Sequence, residues 1–408
     1  MRVKISVKDL LEAFALADSG AKTTVRKVSK TETERIPALL TLEARCGSLK
    51  IRTFGEFPVA AVTTSAVVGA IVHEEGVHTC DLEDARAALG RLKKTAKRGT
   101  WVELSSDNTM DAILIKAGGS VIRIPKDYDS QVDAFADAPI VSVIPPNDIK
   151  AALDMSTGIK RGLNGSILGH VVSFGGGIAA AMDERNAEIL AISAVQVDDL
   201  HIHVPRQVMT ALVRSGEPAR IGDGYASGGK VRIMWRLLGN RAQADTMLDF
   251  LRKVAYGKPA TTTIDGDELR QALVSLSAFL TKGDAISLLP NECGVKILRY
   301  DVRDNATSLY VTREVCEAPT KSRFCDVVIE TRQALADRAE VLVGALWPLP
   351  GAVTLPASRL KSILGNANGI DLCLDGDPGG PVVAHVHGDP VVHLMCQCPC
   401  PFKGVDTI

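Results

Sequence analysis

The stretch Val141-Ser-Val-Ile-Pro-Pro-Asn147-Asp-Ile-Lys-Ala-Ala-Leu153 contains the pattern that decides the fold. Apolar and polar residues alternate at its start, which predicts a short strand, and two prolines end that strand. Asn147 is predicted to cap a helix, because its side chain can accept a hydrogen bond from the first unpaired backbone N–H groups. The predicted buried face of this helix consists of Ile149, Ala152 and Leu153. One strand followed by one helix is therefore expected.

The same strand-to-helix pattern occurs six times in the chain. In each copy, a run with apolar residues at every second position is followed by a run with helical spacing. A Pro, Asp or Ser separates the two runs, as is typical of a helix start. The other five copies begin with Val3–Val7, Val77–Cys80, His201–Pro205, Thr262–Asp265 and Val353–Pro356.

Three further strand-like runs follow several of these helices. After the second helix they are Trp101–Leu104, Ala112–Ile115 and Val121–Ile124, separated by turn residues. Chance alternation is the other explanation, but common α/β folds place one parallel strand after each helix, not three hairpin-linked strands. The predicted unit is therefore one strand, one helix and three strands.

Two such units can close one domain, because each helix covers the apolar face of a sheet. A chain of 408 residues is too long for a single core and accommodates three domains of this kind. The predicted domains are residues 1–139, 140–258 and 259–408, the last with a C-terminal extension. The predicted fold class is α+β, with three similar domains that each contain a duplicated β-α-β-β-β unit.

The composition is that of a folded protein with no strong charge bias. Hydrophobic residues make up 46% of the chain, charged residues 23%, and the net charge is −1. The longest weakly polar run, Pro58–Val72, is too short to span a bilayer, and the N-terminus does not resemble a signal peptide. The nine cysteines are scattered and odd in number, which favours reduced thiols. A cytoplasmic protein without a membrane partner is predicted.

Three local sequences occur in order along the repeat: Ile36–Leu40 followed by Gly47–Ile51, then Arg161–Gly165, then Leu248–Val254. In this order they resemble the bacterial sliding clamp family, the beta subunit of DNA polymerase III, over nearly the whole chain. Two stretches depart from the family pattern, at Met182–Arg185 and at Leu394–Cys396. A divergent member is therefore expected.

The resemblance implies a DNA-clamp fold and a ring of two chains joined head to tail around double-stranded DNA. It implies a processivity factor that tethers a replicative or repair DNA polymerase and has no catalytic residue, metal or cofactor. The implied partners are double-stranded DNA, a second copy of the chain, and DNA polymerase and clamp-loader subunits that bind through short linear motifs.

In a clamp the helices line the hole, so basic residues opposite the apolar helix faces are the candidates for DNA contact. Such residues attract phosphate without sequence preference, although a solvated helix face is the other interpretation of each. The predicted DNA-binding residues are Arg91, Lys94, Lys97, Arg98, Lys150, Lys160, Arg161, Arg206, Arg214, Arg359 and Lys361.

The resemblance also implies a hydrophobic groove between domains two and three that captures partner peptides. Ordinary core positions are the other interpretation, above all for Leu163 and Val254. Because the flanking motifs are altered, a groove of changed shape is expected. The peptide-binding residues that the resemblance implies are Leu163, Met182, Leu190, Leu248, Lys253, Val254, His393 and Met395.

Two other functions stay open. The first is a clamp-fold paralogue with an altered peptide groove that recruits different partners to DNA. The second is a metal-dependent enzyme that uses histidine and cysteine pairs. His201 with His203, and His385 with His387, each place two imidazoles on one face of a strand, and Cys396, Cys398 and Cys400 alternate likewise, with His393 nearby. Against an enzyme, the sequence contains no Gly-x-Ser-x-Gly, P-loop, Gly-x-Gly-x-x-Gly or His-Glu-x-x-His motif.

Overall fold

The computed structural model describes residues 1–18, 20–27, 33–95, 99–107, 111–126, 139–160, 166–183, 185–195, 201–257, 262–277, 285–291, 294–303, 306–315, 353–373 and 381–396. The chain divides into two compact units. The first unit comprises Met1–Ala181 and Ile192–Leu248, and the second comprises Met182–Ala191 and Asp249–Ile408.

The described part of the chain contains seven helices. They are α1 (Val7–Ala17), α2 (Leu82–Thr95), α3 (Pro146–Ser156), α4 (Arg206–Ser215), α5 (Arg241–Gly257), α6 (Gly266–Ser277) and α7 (Ala357–Leu364). None of the helices in these described ranges is both long and apolar enough to cross a membrane.

The described part of the first unit contains eighteen strands. They are β1 (Arg2–Ser6), β2 (Thr24–Lys27), β3 (Thr33–Ile36), β4 (Leu39–Arg45), β5 (Ser48–Phe57), β6 (Ala60–Gly69), β7 (Ile71–Glu74), β8 (Gly76–Asp81), β9 (Trp101–Asp107), β10 (Ala112–Ala117), β11 (Ser120–Pro125), β12 (Ser142–Ile144), β13 (Val171–Gly175), β14 (Ile178–Met182), β16 (Ile202–Pro205), β17 (Ala219–Gly222), β18 (Tyr225–Gly228) and β19 (Val231–Leu237).

The second unit contains the remaining strands. They are β15 (Asn186–Ala191), β20 (Thr262–Asp265), β21 (Ala285–Asn291), β22 (Gly294–Arg303), β23 (Ala306–Val315), β24 (Val353–Pro356), β25 (Gly369–Cys373), β26 (Pro381–Val386) and β27 (Val391–Cys396).

These strands form extended antiparallel sheets. In the first unit, one sheet has the order β11-β10-β9-β1-β7 and a second has the order β12-β17-β18-β19-β6-β5-β4-β8. Strands β16, β13 and β14 lie side by side in that order, and β2 pairs with β3. In the second unit the orders are β15-β27-β26-β25-β20 and β23-β22-β21-β24.

In each domain, the strand that precedes the helix of one half, here called its leading strand, pairs with a strand of the other half. The halves thus exchange their leading strands. In the first domain β1 pairs with β9, and β8 pairs with β4. The second domain joins β12 to β17 and β16 to β13, and the third joins β20 to β25 and β24 to β21. Each leading strand therefore belongs to the sheet of the other half. The helix of its own half begins directly after it. Neither half can form its full sheet alone.

All six predicted strand-to-helix junctions are present, at β1–α1, β8–α2, β12–α3, β16–α4, β20–α6 and β24–α7. Three strands follow each of the helices α2, α3, α4, α6 and α7. The α+β class with three similar, internally duplicated domains is thus confirmed. The domain boundaries near residues 139 and 258 remain predictions.

Two local expectations need correction. Asn147 lies inside α3 rather than capping it, because the helix begins one residue earlier, at Pro146, after a Pro145 cap that makes no side-chain hydrogen bond. Proline suits the first helical position, since that position needs no backbone N–H partner. Helix α5 was not predicted; it lies between the fourth and fifth copies of the repeated strand-to-helix pattern and belongs to neither. Ile149 and Ala152 are buried as predicted, whereas Leu153 is half-buried.

The eight-stranded sheet from β12 to β8 is the central sheet of the first unit, and one of its faces packs against helices. Helix α1 packs on β5 and β6, and α4 contacts β18 and β19. Leu10 of α1 joins Leu49 and Ile51 of β5 in one buried cluster. Because buried and half-buried residues alternate along β5, its other side chains lie on the opposite face of the sheet.

Gly55 in β5 is required by the close approach of Ala21. A Cβ atom on Gly55 would overlap the Cβ of Ala21, which is fully buried. We expect Gly55→Ala to lower the free energy of unfolding by about 1–3 kcal/mol, because the strand or the chain at Ala21 must move. Urea unfolding followed by circular dichroism measures this change.

The matched control is Gly90→Ala. Gly90 is exposed within α2, and a Cβ atom there would meet nothing within 4 Å. The control should raise the free energy of unfolding by about 0.5–1 kcal/mol, because alanine is the better helix former. Equal effects of the two substitutions would contradict the overlap at Ala21.

Candidate functional site

Helix α2 presents the most basic exposed surface among the described helices. Its buried face contains Leu82, Leu89 and Leu92. Lys93 and Lys94 lie exposed in its last turn, where positive charge also complements the helix dipole. Arg91 is exposed as well. The C-terminal part of α2 can therefore present three cations to an anionic ligand.

Several other predicted DNA-contacting residues are exposed, and Lys150 and Arg214 among them contact nearby residues. Lys150 is 64% exposed and its Nζ lies 2.6 Å from a carboxylate oxygen of Asp154. Arg214 is exposed and donates to the carbonyl oxygen of Asp18 over 3.2 Å. Lys160 and Lys361 are also exposed. Lys97, Arg98 and Arg161 lie outside the described residues.

Asp18, at the C-terminal end of α1, forms an ion pair with Arg86 of α2. Arg86 of α2 donates to both of its carboxylate oxygens, over 3.1 Å from Nε and 2.5 Å from the terminal nitrogen. Burial by itself would raise the pKa of Asp18, but the hydrogen bonds from Arg86 and Gly20 and the charges of Arg86 and Arg214 lower it. Asp18 therefore stays ionised and fixes the end of α1 against α2.

Two of the predicted DNA-contacting arginines are used inside the protein. The guanidinium of Arg206 donates to the carbonyl oxygen of Ile159 over 3.1 Å and is half-buried. The side chain of Arg359 is 11% exposed and forms an ion pair with Glu188, of which 4% is exposed. The position of Arg359 does not fit the prediction that it contacts phosphate, because its charge already neutralises a buried carboxylate.

The pair of Arg359 and Glu188 belongs to a larger buried network in the second unit. His393 of β27 lies opposite Glu188 of β15, and its Nδ1 contacts the second carboxylate oxygen of Glu188. Its Nε2 lies 3.4 Å from a carboxylate oxygen of Asp389. Burial lowers the pKa of His393; Asp389 opposes this shift and Arg359 adds to it. The network joins α7 to two strands of one sheet.

Most residues of the predicted peptide groove are buried within their own units. In the second unit, Met182, Leu190, His393 and Met395 are 2%, 7%, 6% and 0% exposed. Lys253 is exposed and Val254 is half-buried. In the first unit Leu248 is fully buried, and Leu163 lies outside the described residues. Core packing, the other interpretation offered by the sequence, therefore describes Met182, Leu248 and Met395 in this conformation.

A buried chain of hydrogen bonds in the first unit was not predicted from the sequence. The Ser173 hydroxyl lies 2.7 Å from Nδ1 of His203, and Nε2 of His203 lies 2.7 Å from a carboxylate oxygen of Asp245. The Trp235 indole N–H donates to the backbone carbonyl of His203 over 3.0 Å. Burial lowers the pKa of His203, while the hydrogen bond to Asp245 and the charge of Asp245 act against this shift. A neutral imidazole therefore connects β13 to α5.

These groups do not form a hydrolytic site, although a serine, a histidine and a carboxylate are aligned. Ser173 is fully buried in its strand, so its hydroxyl cannot reach a substrate. The remaining histidine pair is more open: Nε2 of His387 lies 3.0 Å from Asp371, and His385 is half-buried. Within the described residues, no group of three or more His, Cys, Asp or Glu side chains is arranged to hold a metal ion.

The whole chain is similar in fold to solved bacterial sliding clamps. The polymerase III beta structure of Caulobacter crescentus superposes with a TM-score of 0.68 at 14% identity, covering 98% of this chain and 100% of that one. The DNA polymerase III subunit beta of Pseudomonas aeruginosa gives 0.64 at 16% identity, with the same coverage. The Helicobacter pylori beta clamp bound to a DNA ligase peptide gives 0.59 at 13% identity, again with 98% and 100% covered.

No protein-family model matches the chain, and no curated protein sequence matches it. The similarity therefore lies in the fold: this chain has the architecture of the solved bacterial DNA sliding clamps. The low identities agree with the departures from the family pattern that the sequence shows at Met182–Arg185 and Leu394–Cys396.

The hydrogen bonds of His203 predict a specific pH dependence. Burial keeps the pKa of His203 in the folded state below its ordinary value of 6.5. The unfolded chain therefore holds more protons than the folded chain at pH values between the folded-state pKa and 6.5. The free energy of unfolding should therefore fall as the pH is lowered through 6.5. His203→Gln should reduce the stability at pH 7 by about 1–3 kcal/mol and should lose less further stability between pH 7 and pH 5 than the wild type.

Urea unfolding at a series of pH values measures both effects. His73→Gln serves as a control, because His73 is exposed on β7. His78, whose pKa burial and nearby Lys126 lower to about 4, contributes equally to all three proteins. Parallel pH profiles for His203→Gln and wild type would show that His203 is not buried in its neutral form.

Arg359 and Lys361 lie two residues apart on α7 and should respond differently to removal. Arg359→Ala should destabilise the second unit by about 3–5 kcal/mol, because Glu188 is left buried without its partner. Lys361→Ala should change stability by no more than about 0.5 kcal/mol, because its side chain is exposed. Thermal unfolding of the two variants measures the difference, and comparable losses would contradict the buried ion pair.

Proposed function

We propose that this protein is a sliding clamp, a non-catalytic processivity factor that encircles double-stranded DNA and tethers a DNA polymerase. The observation that carries the proposal is the match of the entire three-domain architecture, over 98% of this chain, to bacterial clamps. A clamp needs no reacting group, which agrees with the lack of catalytic motifs in the sequence. We place the protein in the cytoplasm, where the DNA of a bacterium lies.

In the part of the chain that the structure describes, two unpaired sheet edges, one in the first domain and one in the third, support ring closure by two chains. Within the described residues, β11 pairs only with β10, and β23 pairs only with β22. An unpaired edge presents backbone N–H and C=O groups that another strand can bond. Two different edges on one chain allow head-to-tail contacts, which close into a ring when the rotation permits. We infer that β11 of one chain pairs with β23 of a second copy.

DNA contact is assigned to the exposed basic residues of the helices. Arg91 and Lys94 on α2, Lys150 on α3 and Lys361 on α7 are exposed and can attract phosphate without reading sequence. Acidic residues in the first turns of α1, α2 and α6 limit this attraction. Weak phosphate contact suits a protein that must slide, since closure rather than affinity retains the DNA.

Partner proteins are proposed to bind through short linear motifs, as the Helicobacter pylori clamp binds a DNA ligase peptide. Polymerase and clamp-loader subunits are the proposed partners. The burial of Met182, His393 and Met395 favours a second candidate function, a clamp-fold paralogue whose altered groove recruits other partners. Binding of polymerase-tail peptides to the purified protein distinguishes the two, because the paralogue would keep DNA retention and lose these peptides.

Retention on circular DNA tests the ring directly. The protein is loaded by a bacterial clamp loader onto nicked circular plasmid, the complex is isolated by gel filtration, and half of it is linearised with a restriction enzyme. A closed ring stays on the circle and slides off the linear ends, so the amount retained should fall at least about tenfold after cutting. Equal retention on both forms would contradict encirclement.

The variant Arg91→Glu with Lys94→Glu separates charge from topology. Reversing two exposed cations on α2 should lower loading at low salt, because like charges then face the phosphates. Protein that has been loaded should still be released by linearisation, as in the wild type. Lys116→Glu, an exposed substitution on strand β10, provides the matched control with unchanged loading.

A further inference from the structure

A cleft of about 350 Å³ lies on the central sheet of the first unit. Its lining consists of Lys50, Ser65, Val67, Gly229, Lys230 and Arg232. Lys50 alternates along β5 with Leu49 and Ile51, which pack in the cluster that contains α1. The cleft therefore opens on the face of the sheet that is turned away from this helix.

The register of the paired strands determines the positions of the basic side chains in the cleft. Lys50 of β5 lies opposite Val67 of β6, and Ser65 of β6 lies opposite Arg232 of β19. Since neighbouring strands are about 4.8 Å apart, Lys50 and Arg232 flank β6 at a separation on the order of 10 Å. Lys230 directly precedes β19 and lines the same cleft. Three cations thus surround one strand whose central side chain, Val67, is 44% exposed.

Two carboxylates lie near this surface. Glu43 lies opposite Lys50, and its carboxylate contacts Arg45 over 3.2 Å and Arg52 over 3.5 Å. Glu217 packs beside Gly229 at the rim of the cleft and is exposed. Lys230 and Arg232 are exposed, so their charges remain available to a ligand.

We propose that this cleft is a docking site for an acidic peptide segment of a partner protein. Charge complementarity supports this occupant: carboxylates on alternate residues of an extended segment can meet the exposed Lys230 and Arg232. An aliphatic side chain between them can cover Val67. The volume of about 350 Å³ suits a few side chains rather than a folded domain.

An acidic peptide fits the lining better than single-stranded nucleic acid does. Proteins that bind single strands without sequence preference stack the bases on aromatic side chains, and the cleft lining has no aromatic residue. Because β5, β6 and β19 are all paired on both sides, the peptide would bind through its side chains rather than by adding a strand. The site is separate from the helices assigned to duplex DNA, so it does not depend on the proposed ring.

The test measures binding of a fluorescent peptide of alternating glutamate and leucine to the full-length protein by fluorescence anisotropy. A peptide with glutamine in place of glutamate and a single-stranded oligo-dT are titrated in parallel. The variants are Lys230→Glu with Arg232→Glu, and Lys116→Glu as an exposed control on another sheet. Circular dichroism melts establish that the exposed substitutions leave the fold intact.

The acidic peptide should bind the wild type and the control equally, and should bind the double variant about tenfold or more weakly. The glutamine peptide should not bind, and added salt should weaken the acidic one. Unchanged binding to the double variant, or no binding to the wild type, would overturn the proposal. Binding of oligo-dT alone, lost in the double variant, would overturn it in favour of nucleic acid. None of these outcomes depends on retention of plasmid DNA.

Discussion

The exchange of leading strands between the two halves of each domain is the constraint on which the rest of the structure depends. A strand such as β8 pairs with β4 of the other half and then continues directly into α2. The helix is thereby placed by a sheet to which its own following strands do not belong. Separating the halves would break two antiparallel ladders at once and leave the backbone groups of those strands without partners.

This arrangement sorts the surface into two kinds. Helices such as α1 and α4 cover one face of the central sheet, so their polar sides become a surface of their own. The cations of α2 at Arg91 and Lys94 belong to that surface. Arg232 of β19 and Lys230, just before β19, line the cleft on the sheet instead. One basic region lies on helices and the other lies on a sheet, so the two can bind different ligands. We propose the helical region for double-stranded DNA and the cleft for an acidic peptide segment.

Buried polar groups connect helices to sheets in both units. His203 joins Ser173 and Asp245 in the first unit, and Glu188 joins Arg359 and His393 in the second. Burying such groups costs free energy unless every partner is present, so each network specifies one position for its helix. Both networks contain residues that the sequence marked as candidates for metal, DNA or peptide binding. Their chemistry is used within the fold.

The amino-acid sequence by itself determined the sixfold unit, because the change of period from two to 3.6 is local and visible in every copy, as at Val141–Leu153. It also marked which helices carry cations. Only the tertiary structure decided which of those cations face solvent. Lys361 and Arg359 have the same local pattern, but the partner of Arg359 lies 171 residues away, and burial follows from that contact. Strand exchange was equally invisible, since pairing partners depend on contacts between distant segments and not on the period of either one.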